Sequence, residues 1–214
     1  MSVQGNTGAV YPQYNAVKQA AEALVEALAT PIDNPNAEYL NRTTKIDISG
    51  LPFNSSHTSI TDGTLTVTFS APVIKRGPVP DGWATWSSPP FSEDPNPDVL
   101  YAAGLTSLTL DLSRSVQTFG FELEPSPFAV LTYTADFYAD GNLVESITRA
   151  VDGNAGARLF ARTGTPINRV VITGPAEFAI AQIRYELALS PEQITFFTAL
   201  LLLLAVILAV ILLA

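Results

Sequence analysis

The chain has 214 residues and a formal net charge of −9, with 11 basic and 20 acidic side chains. This negative charge would repel phosphate backbones, so a nucleic-acid partner is excluded. The chain has no cysteine, which excludes disulfides and thiolate metal sites, and its single histidine, His57, excludes sites that need two imidazoles.

The first 42 residues are predicted to form a helix at 14–29 followed by a linker. Apolar side chains recur at helical spacing in YNAVKQAAEALVEALA, and Pro31 ends the pattern because proline disfavours helical backbone in the residue before it. Glu22 and Glu26 lie on the polar side, where membrane-surface helices carry basic residues. We therefore expect this helix to dock on the domain or to pair with another copy of the chain.

Residues 43–189 are predicted to form one all-β domain. Apolar and polar residues alternate at 46–48, Leu65–Phe69 and Leu108–Leu112, as they do in half-buried strands. Further predicted strands are Val116–Leu123, Val130–Tyr138, Leu143–Val151, Arg158–Arg162, Arg169–Thr173 and Phe178–Leu187. With turn signals such as Asp-Gly between them and no helical pattern, nine or so short strands predict an antiparallel β-sandwich or jelly roll.

A long proline-rich loop is predicted between these strands, over residues 76–101. It carries six prolines, both tryptophans of the chain and four acidic residues. Loops of this length are uncommon in compact domains unless they have a function. The candidate ligand-binding residues are aromatic stacking surfaces for a sugar or partner side chain and acidic acceptors or hard-cation ligands: Trp83, Trp86, Phe91, Glu93, Asp94 and Asp98. The alternative is that the tryptophans cap one open end of the sandwich.

Glu122 and Glu124 flank Leu123 on a predicted strand, so their side chains share one face. Two such carboxylates could perform acid/base chemistry, but we expect a solvated face or partners among the arginines at 158, 162 and 184. No nucleophile-elbow or phosphate-binding motif occurs. No catalytic residue, metal ion or cofactor is expected, and the protein is not predicted to be an enzyme.

The C-terminal residues 190–214 are predicted to form a transmembrane helix. Residues 194–214 contain no charge, and 15 of these 21 residues are Leu, Ile, Val or Phe. A helix of that length spans about 31 Å, which matches the hydrocarbon core of a bilayer. The N-terminal sequence lacks the pattern of a cleavable secretory signal, so the sequence predicts a tail anchor.

Four runs carry a resemblance to a known kind of module: TFGFELEP at 118–125, TADFYADG at 134–141, NAGARLFAR at 154–162 and FAIAQIRY at 178–185. They resemble a β-sandwich module of bacterial surface proteins of uncharacterised function, including some with PEP-CTERM sorting tails. The PEP motif and basic tail of the sorted members are absent here. The resemblance implies a β-sandwich and a setting at a bacterial cell or spore surface.

Two functions follow as expectations. The first is a non-catalytic, membrane-anchored module that binds a glycan or a protein through the Trp-rich loop. The alternative is a structural subunit of a surface layer, spore coat or filament, a homo-oligomer in which the C-terminal hydrophobic helices pack together.

Overall fold

The computed structural model describes residues 31–190 together with residues 192, 193, 195, 196, 199 and 200. This part of the chain is all-β, and every strand pairing in it is antiparallel. The elements are β1 (Pro31–Ile32), α1 (Ala37–Arg42), β2 (Thr44–Lys45), β3 (Ser56–Thr61), β4 (Thr66–Arg76), β5 (Val99–Ala102), β6 (Ser107–Pro125), β7 (Val130–Ala139), β8 (Asn142–Asp152), β9 (Arg158–Arg162), β10 (Ile167–Thr173) and β11 (Phe178–Leu187).

The 19-residue strand β6 organises the fold because its two halves have different neighbours. Residues 107–112 pair with β10 and β4, whereas residues 118–125 pair with β11 and β9. The sequence predicts two separate strands here, since the polar run 113–115 interrupts the alternation. In the structure these three residues are exposed and the strand continues through them. The pairing is consistent with the predicted β-sandwich.

The main core lies between the inward faces of these strands. Phe121 of β6 and Phe160 of β9 are both fully buried, and their rings stack with centroids 5.8 Å apart. Tyr133 of β7 meets Phe178 of β11 edge-on at 5.4 Å. Alternation predicted these inward faces correctly wherever apolar residues occupy every second position.

Residues 31–42, predicted as a linker, contain β1 and α1. Two residues of β1 pair with β9. The side chain of Asn36 caps α1 by accepting a hydrogen bond of 2.9 Å from the backbone N–H of Tyr39. The Tyr39 ring is buried with Leu159 and Ala161 on the outward side of β9. The helix predicted at 14–29 lies outside the described residues.

The C-terminal prediction also falls mostly on residues that the structure does not describe. Residues 192, 193, 195, 196, 199 and 200 are helical. Within the described residues, no helix is both long enough and apolar enough to cross a membrane.

Candidate functional site

The second half of β6 presents its polar side chains away from the main core. Phe119, Phe121 and Leu123 point inward, so alternation turns Glu122 and Glu124 outward. Such a row would ordinarily face water. Here the loop between β4 and β5, residues 77–98, covers it and forms a second small core that contains Val79, Trp86, Val99, Ala157, Ala179 and Ala181.

Glu122 is fully buried beneath this loop. Its carboxylate accepts hydrogen bonds from the indole N–H of Trp86 at 2.8 Å, the hydroxyl of Ser92 at 2.6 Å and the backbone N–H of Glu93 at 2.6 Å. Burial raises the pKa of Glu122 from its usual 4.5 to about 7, although these three hydrogen bonds pull it down. One carboxylate therefore anchors the loop at two places, Trp86 and the adjacent residues Ser92 and Glu93.

Glu124 anchors the loop in the same way, two residues further along β6. It accepts from the indole N–H of Trp83 at 2.6 Å, the Thr85 hydroxyl at 3.3 Å and the backbone N–H of Gly156 at 3.3 Å. Burial again raises its pKa to about 7 against the effect of these bonds. The two tryptophans of the loop are thus matched with the two carboxylates of the strand.

The prediction of a solvated Glu122 and Glu124 face, or of arginine partners for it, is wrong. The loop excludes water from this face, and indole, hydroxyl and backbone donors replace the expected guanidinium groups. Arg184 instead pairs with Glu93 at 2.6 Å, and Arg162 pairs with Glu145 at 3.0 Å. The prediction that the two carboxylates share a face opposite the core phenylalanines is confirmed.

A cavity of about 440 Å³ lies where the loop meets the β6–β7 turn. This volume is within the usual range of ligand pockets, about 300–1,000 Å³. We call it the aromatic pocket, and its lining is Arg76, Pro80, Gly82, Trp83, Ala84, Thr85, Tyr101, Glu124, Pro125, Ser126, Phe128 and Gly153.

Two rings form the centre of the aromatic pocket. Trp83 comes from the loop and Tyr101 from β5, and their ring centroids lie 5.3 Å apart with an angle of 56° between the planes. The hydrogen bond to Glu124 fixes the edge of the indole. Phe128, in the β6–β7 turn, is 68% exposed at the rim. The pocket therefore combines apolar ring faces with a guanidinium, hydroxyls and a carboxylate.

Of the three predicted aromatic residues, only Trp83 lines this pocket. Trp86 is 4% exposed and belongs to the second core, so its ring is not open to a ligand. Phe91 is half exposed, but the guanidinium carbon of Arg158 lies 4.4 Å from its ring centroid and neither residue lines the pocket. The structure therefore separates the three rings that the sequence groups together.

The three predicted acidic residues have partners of their own. Glu93 binds Arg184 at 2.6 Å and Lys45 at 3.1 Å. Asp98 binds Lys75 at 2.5 Å, and Asp94 accepts the backbone N–H of Asn96 at 2.8 Å. Among residues 31–190 and the other described positions, no group of three or more His, Asp or Glu side chains could hold a metal ion.

Sequence reasoning missed Tyr101, Phe128 and Arg76 as members of the pocket. They come from three segments that only the strand pairing brings together. One signal was present, because Phe128 follows two prolines in PSPFA, which places an aromatic ring in a turn.

A second cavity, of about 660 Å³, lies beside β1 and α1. Its described lining is largely amide, hydroxyl and charged side chains, with one aromatic ring, that of the buried Tyr39. The aromatic pocket has three rings and is the better candidate for a ligand site.

No protein-family model and no curated protein sequence matches the chain. Among solved structures, it is similar to CsCBM6-3 from Clostridium stercorarium in complex with cellobiose, with 10% identity and a TM-score of 0.29 over 49% of this chain and 82% of that one. A family 11 carbohydrate-binding module from Clostridium thermocellum, in complex with a β-1,3-1,4-mixed-linked tetrasaccharide, has 11% identity and a TM-score of 0.30 over 69% and 97%.

A third similar structure is the M60 catalytic domain with the CBM51-1 and CBM51-2 domains of Clostridium perfringens ZmpB. It has 12% identity and a TM-score of 0.37 over 68% of this chain and 15% of that one. All three TM-scores are 0.37 or lower.

Proposed function

We propose that the protein is a non-catalytic glycan-binding module whose ligand occupies the aromatic pocket. The observation that carries this proposal is the pair of rings, Trp83 and Tyr101, held 5.3 Å apart in a cavity that also contains a guanidinium and hydroxyl groups. If the ligand of these rings is a protein instead, the chain is expected to bind no glycan on an array.

The chemistry of the pocket fits a pyranose sugar. A β-linked pyranose with equatorial hydroxyls presents flat C–H faces to an aromatic ring and a rim of hydroxyls to polar groups. Arg76 can donate to such hydroxyls, and the side chain of Ser126 can donate or accept. The rings thus supply the contact area and the polar groups supply the orientation.

The state of the carboxylates supports binding without hydrolysis. Glycoside hydrolysis ordinarily uses two carboxyl groups that face the scissile bond. Among the described residues that line the pocket, Glu124 is the only acidic one, and three protein donors already engage it. Glu122 lies beneath the loop with its own three donors.

For the setting, we propose a bacterial surface module held at a membrane by residues 194–214. The support is the uncharged apolar sequence of this run and the resemblance of residues 118–185 to surface modules. Membrane partitioning of the full chain, with and without detergent, tests this part of the proposal separately from ligand binding.

Glycan-array binding followed by titration calorimetry tests the ligand. We expect the full chain in detergent to bind β-linked neutral glycans, and Trp83→Ala to abolish this binding. Because Trp83→Ala also removes a donor from Glu124, Phe128→Ala provides a second variant at an exposed rim position. Leu143→Ala, at an exposed position of β8 outside the pocket, is the control and is expected to keep wild-type binding. Absence of glycan binding, or full binding by both pocket variants, contradicts the proposal.

A further inference from the structure

An exposed phenylalanine lies just outside the aromatic pocket, on the far side of Gly82. Phe53 is 51% exposed, although its ring rests against the loop backbone. A Cβ atom built on Gly82 would lie 2.6 Å from a carbon of the Phe53 ring, closer than real side chains approach. Gly82 also has a φ of +79°, which favours glycine. Because residue 82 has no side chain, the Phe53 ring can pack against the backbone that lines the pocket.

Arg76 joins the two sides of this wall. Its guanidinium carbon lies 5.7 Å from the centroid of the Phe53 ring, and the same side chain lines the aromatic pocket. Its NH1 group donates a hydrogen bond to the side chain of Asn54, the residue next to Phe53. The Phe53 ring and the Arg76 guanidinium therefore form one continuous surface.

The aromatic surface is therefore longer than the cavity. Trp83 and Tyr101 lie at its centre, Phe128 is exposed at its rim, and Phe53 continues it past Gly82 and Arg76. Half-exposed phenylalanines contribute little to folding, whereas exposed apolar patches that adjoin a pocket mark surfaces where a ligand or partner binds.

We propose that the site takes an internal stretch of an extended polysaccharide, with successive sugar units on Phe53, on the Trp83–Tyr101 pair and on Phe128, and not a single terminal sugar. This inference rests on the proposed function and names the ligand class of the same site. Phe53 and Phe128 are both largely exposed next to the central pair, so each ring can contact a further sugar unit. Gly82 and Arg76 connect the Phe53 ring to the pocket, because both contact Phe53 and both line the cavity.

A chain-length series tests the inference. The probes are β-1,4-linked glucose and β-1,4-linked N-acetylglucosamine oligomers of two to six units, titrated into the full chain in detergent. We expect affinity to rise between the two-unit and four-unit oligomers and then level off. Phe53→Ala is expected to weaken binding of the four-unit oligomer by about threefold to tenfold, the effect of one aromatic contact, and to leave the two-unit oligomer unchanged.

Phe53→Leu, which retains apolar volume, and a thermal melt of each variant separate lost binding from lost folding. Leu143→Ala is the matched control at an exposed apolar position away from the pocket. Equal affinity for all chain lengths, with no effect of Phe53→Ala, overturns the extended-chain inference while the proposed function stands. Failure of every oligomer in both series to bind contradicts the proposed function and the inference together.

Discussion

The indole N–H of Trp86 donates a 2.8 Å hydrogen bond to the carboxylate of Glu122, which lies two residues from the carboxylate that binds Trp83. This bond attaches a proline-rich loop of more than twenty residues to the outward face of a strand. It also explains why a tryptophan that appears suited to a ligand is buried. Hydrogen bonds to Glu122 and Glu124 hold the loop, and the apolar residues of the second core surround these bonds. The edge of the loop at residues 80 and 82–85 lines the aromatic pocket.

Replacement of Trp86 tests the anchor itself. Trp86→Phe keeps an aromatic ring in the second core but removes the donor to Glu122. We expect the free energy of unfolding to fall by about 1–3 kcal/mol, the usual cost of an unsatisfied buried group. Urea denaturation measures the change. If stability is unchanged, the Ser92 and Glu93 donors alone hold the carboxylate.

The pH dependence of stability tests the two buried carboxylates together. The pKa of Glu122 and of Glu124 is raised to about 7 in the folded chain, against 4.5 in the unfolded chain. The stability that this difference contributes is fully present below about pH 4.5 and is lost as the pH rises through 7. The free energy of unfolding is therefore expected to fall between pH 5 and pH 8.

Two variants sharpen this prediction. The double variant Glu122→Gln with Glu124→Gln is expected to flatten the decline between pH 5 and pH 8. Glu177→Gln is the control, because the pKa of Glu177 lies below its usual 4.5 and its titration changes stability only below about pH 4.5. A decline that persists unchanged in the double variant would assign it to other groups.

Comparing the stability of variants at Phe121 and Phe128 tests which ring lies in the core and which lies at the exposed rim of the pocket. Phe121 is fully buried and stacks on Phe160, so Phe121→Ala is expected to cost about 3–5 kcal/mol. Phe128→Ala, at the exposed rim, is expected to stay within about 0.5 kcal/mol of the wild type. Chemical denaturation of the two variants side by side gives both numbers.

Gly120 tests how closely α1 packs on the sheet. A Cβ atom at this position would lie 2.4 Å from the Tyr39 hydroxyl and 2.4 Å from the Cβ of Ala161. Gly120→Ala is therefore expected to cost about 1–3 kcal/mol and to loosen α1. Hydrogen exchange at residues 37–42 reports the loosening. The control is Gly50→Ala, where a Cβ meets nothing within 4 Å and the backbone does not have a positive φ.

Truncation after Ser190 tests whether the domain needs the C-terminal residues. β11 ends at Leu187 and completes its pairing with β6 before that point. We expect the shortened chain to be soluble and folded without detergent, as judged by a cooperative thermal melt. Recovery only as unfolded aggregate would show that residues after 190 belong to the core.

Several strands could be predicted from the sequence because their side chains alternate or are continuously apolar. β9 and β11 have the predicted bounds, Arg158–Arg162 and Phe178–Leu187. β3 was missed because its sequence, SHTSIT, is mostly polar and exposed, and it forms a strand by pairing with β4 alone. Local patterns do not contain such pairing information.

The candidate site was predictable only in part, for the same reason. The composition of the loop at 77–98 marks Trp83, but the tertiary pairing decides which ring is open and which is buried. Trp86 follows Trp83 by three residues, yet one meets Glu122 in a dry core and the other meets Tyr101 in a cavity. Glu124 looked like a surface residue because the segment that covers it lies about forty positions earlier in the chain.

The matching of two loop tryptophans to two strand carboxylates limits how such a protein can diversify. A loop of another sequence could not be exchanged for residues 77–98 alone, because it would remove all three donors of Glu122 and both side-chain donors of Glu124. Changes of the loop sequence in related chains are therefore expected to appear as paired substitutions, at positions 83 with 124 and 86 with 122.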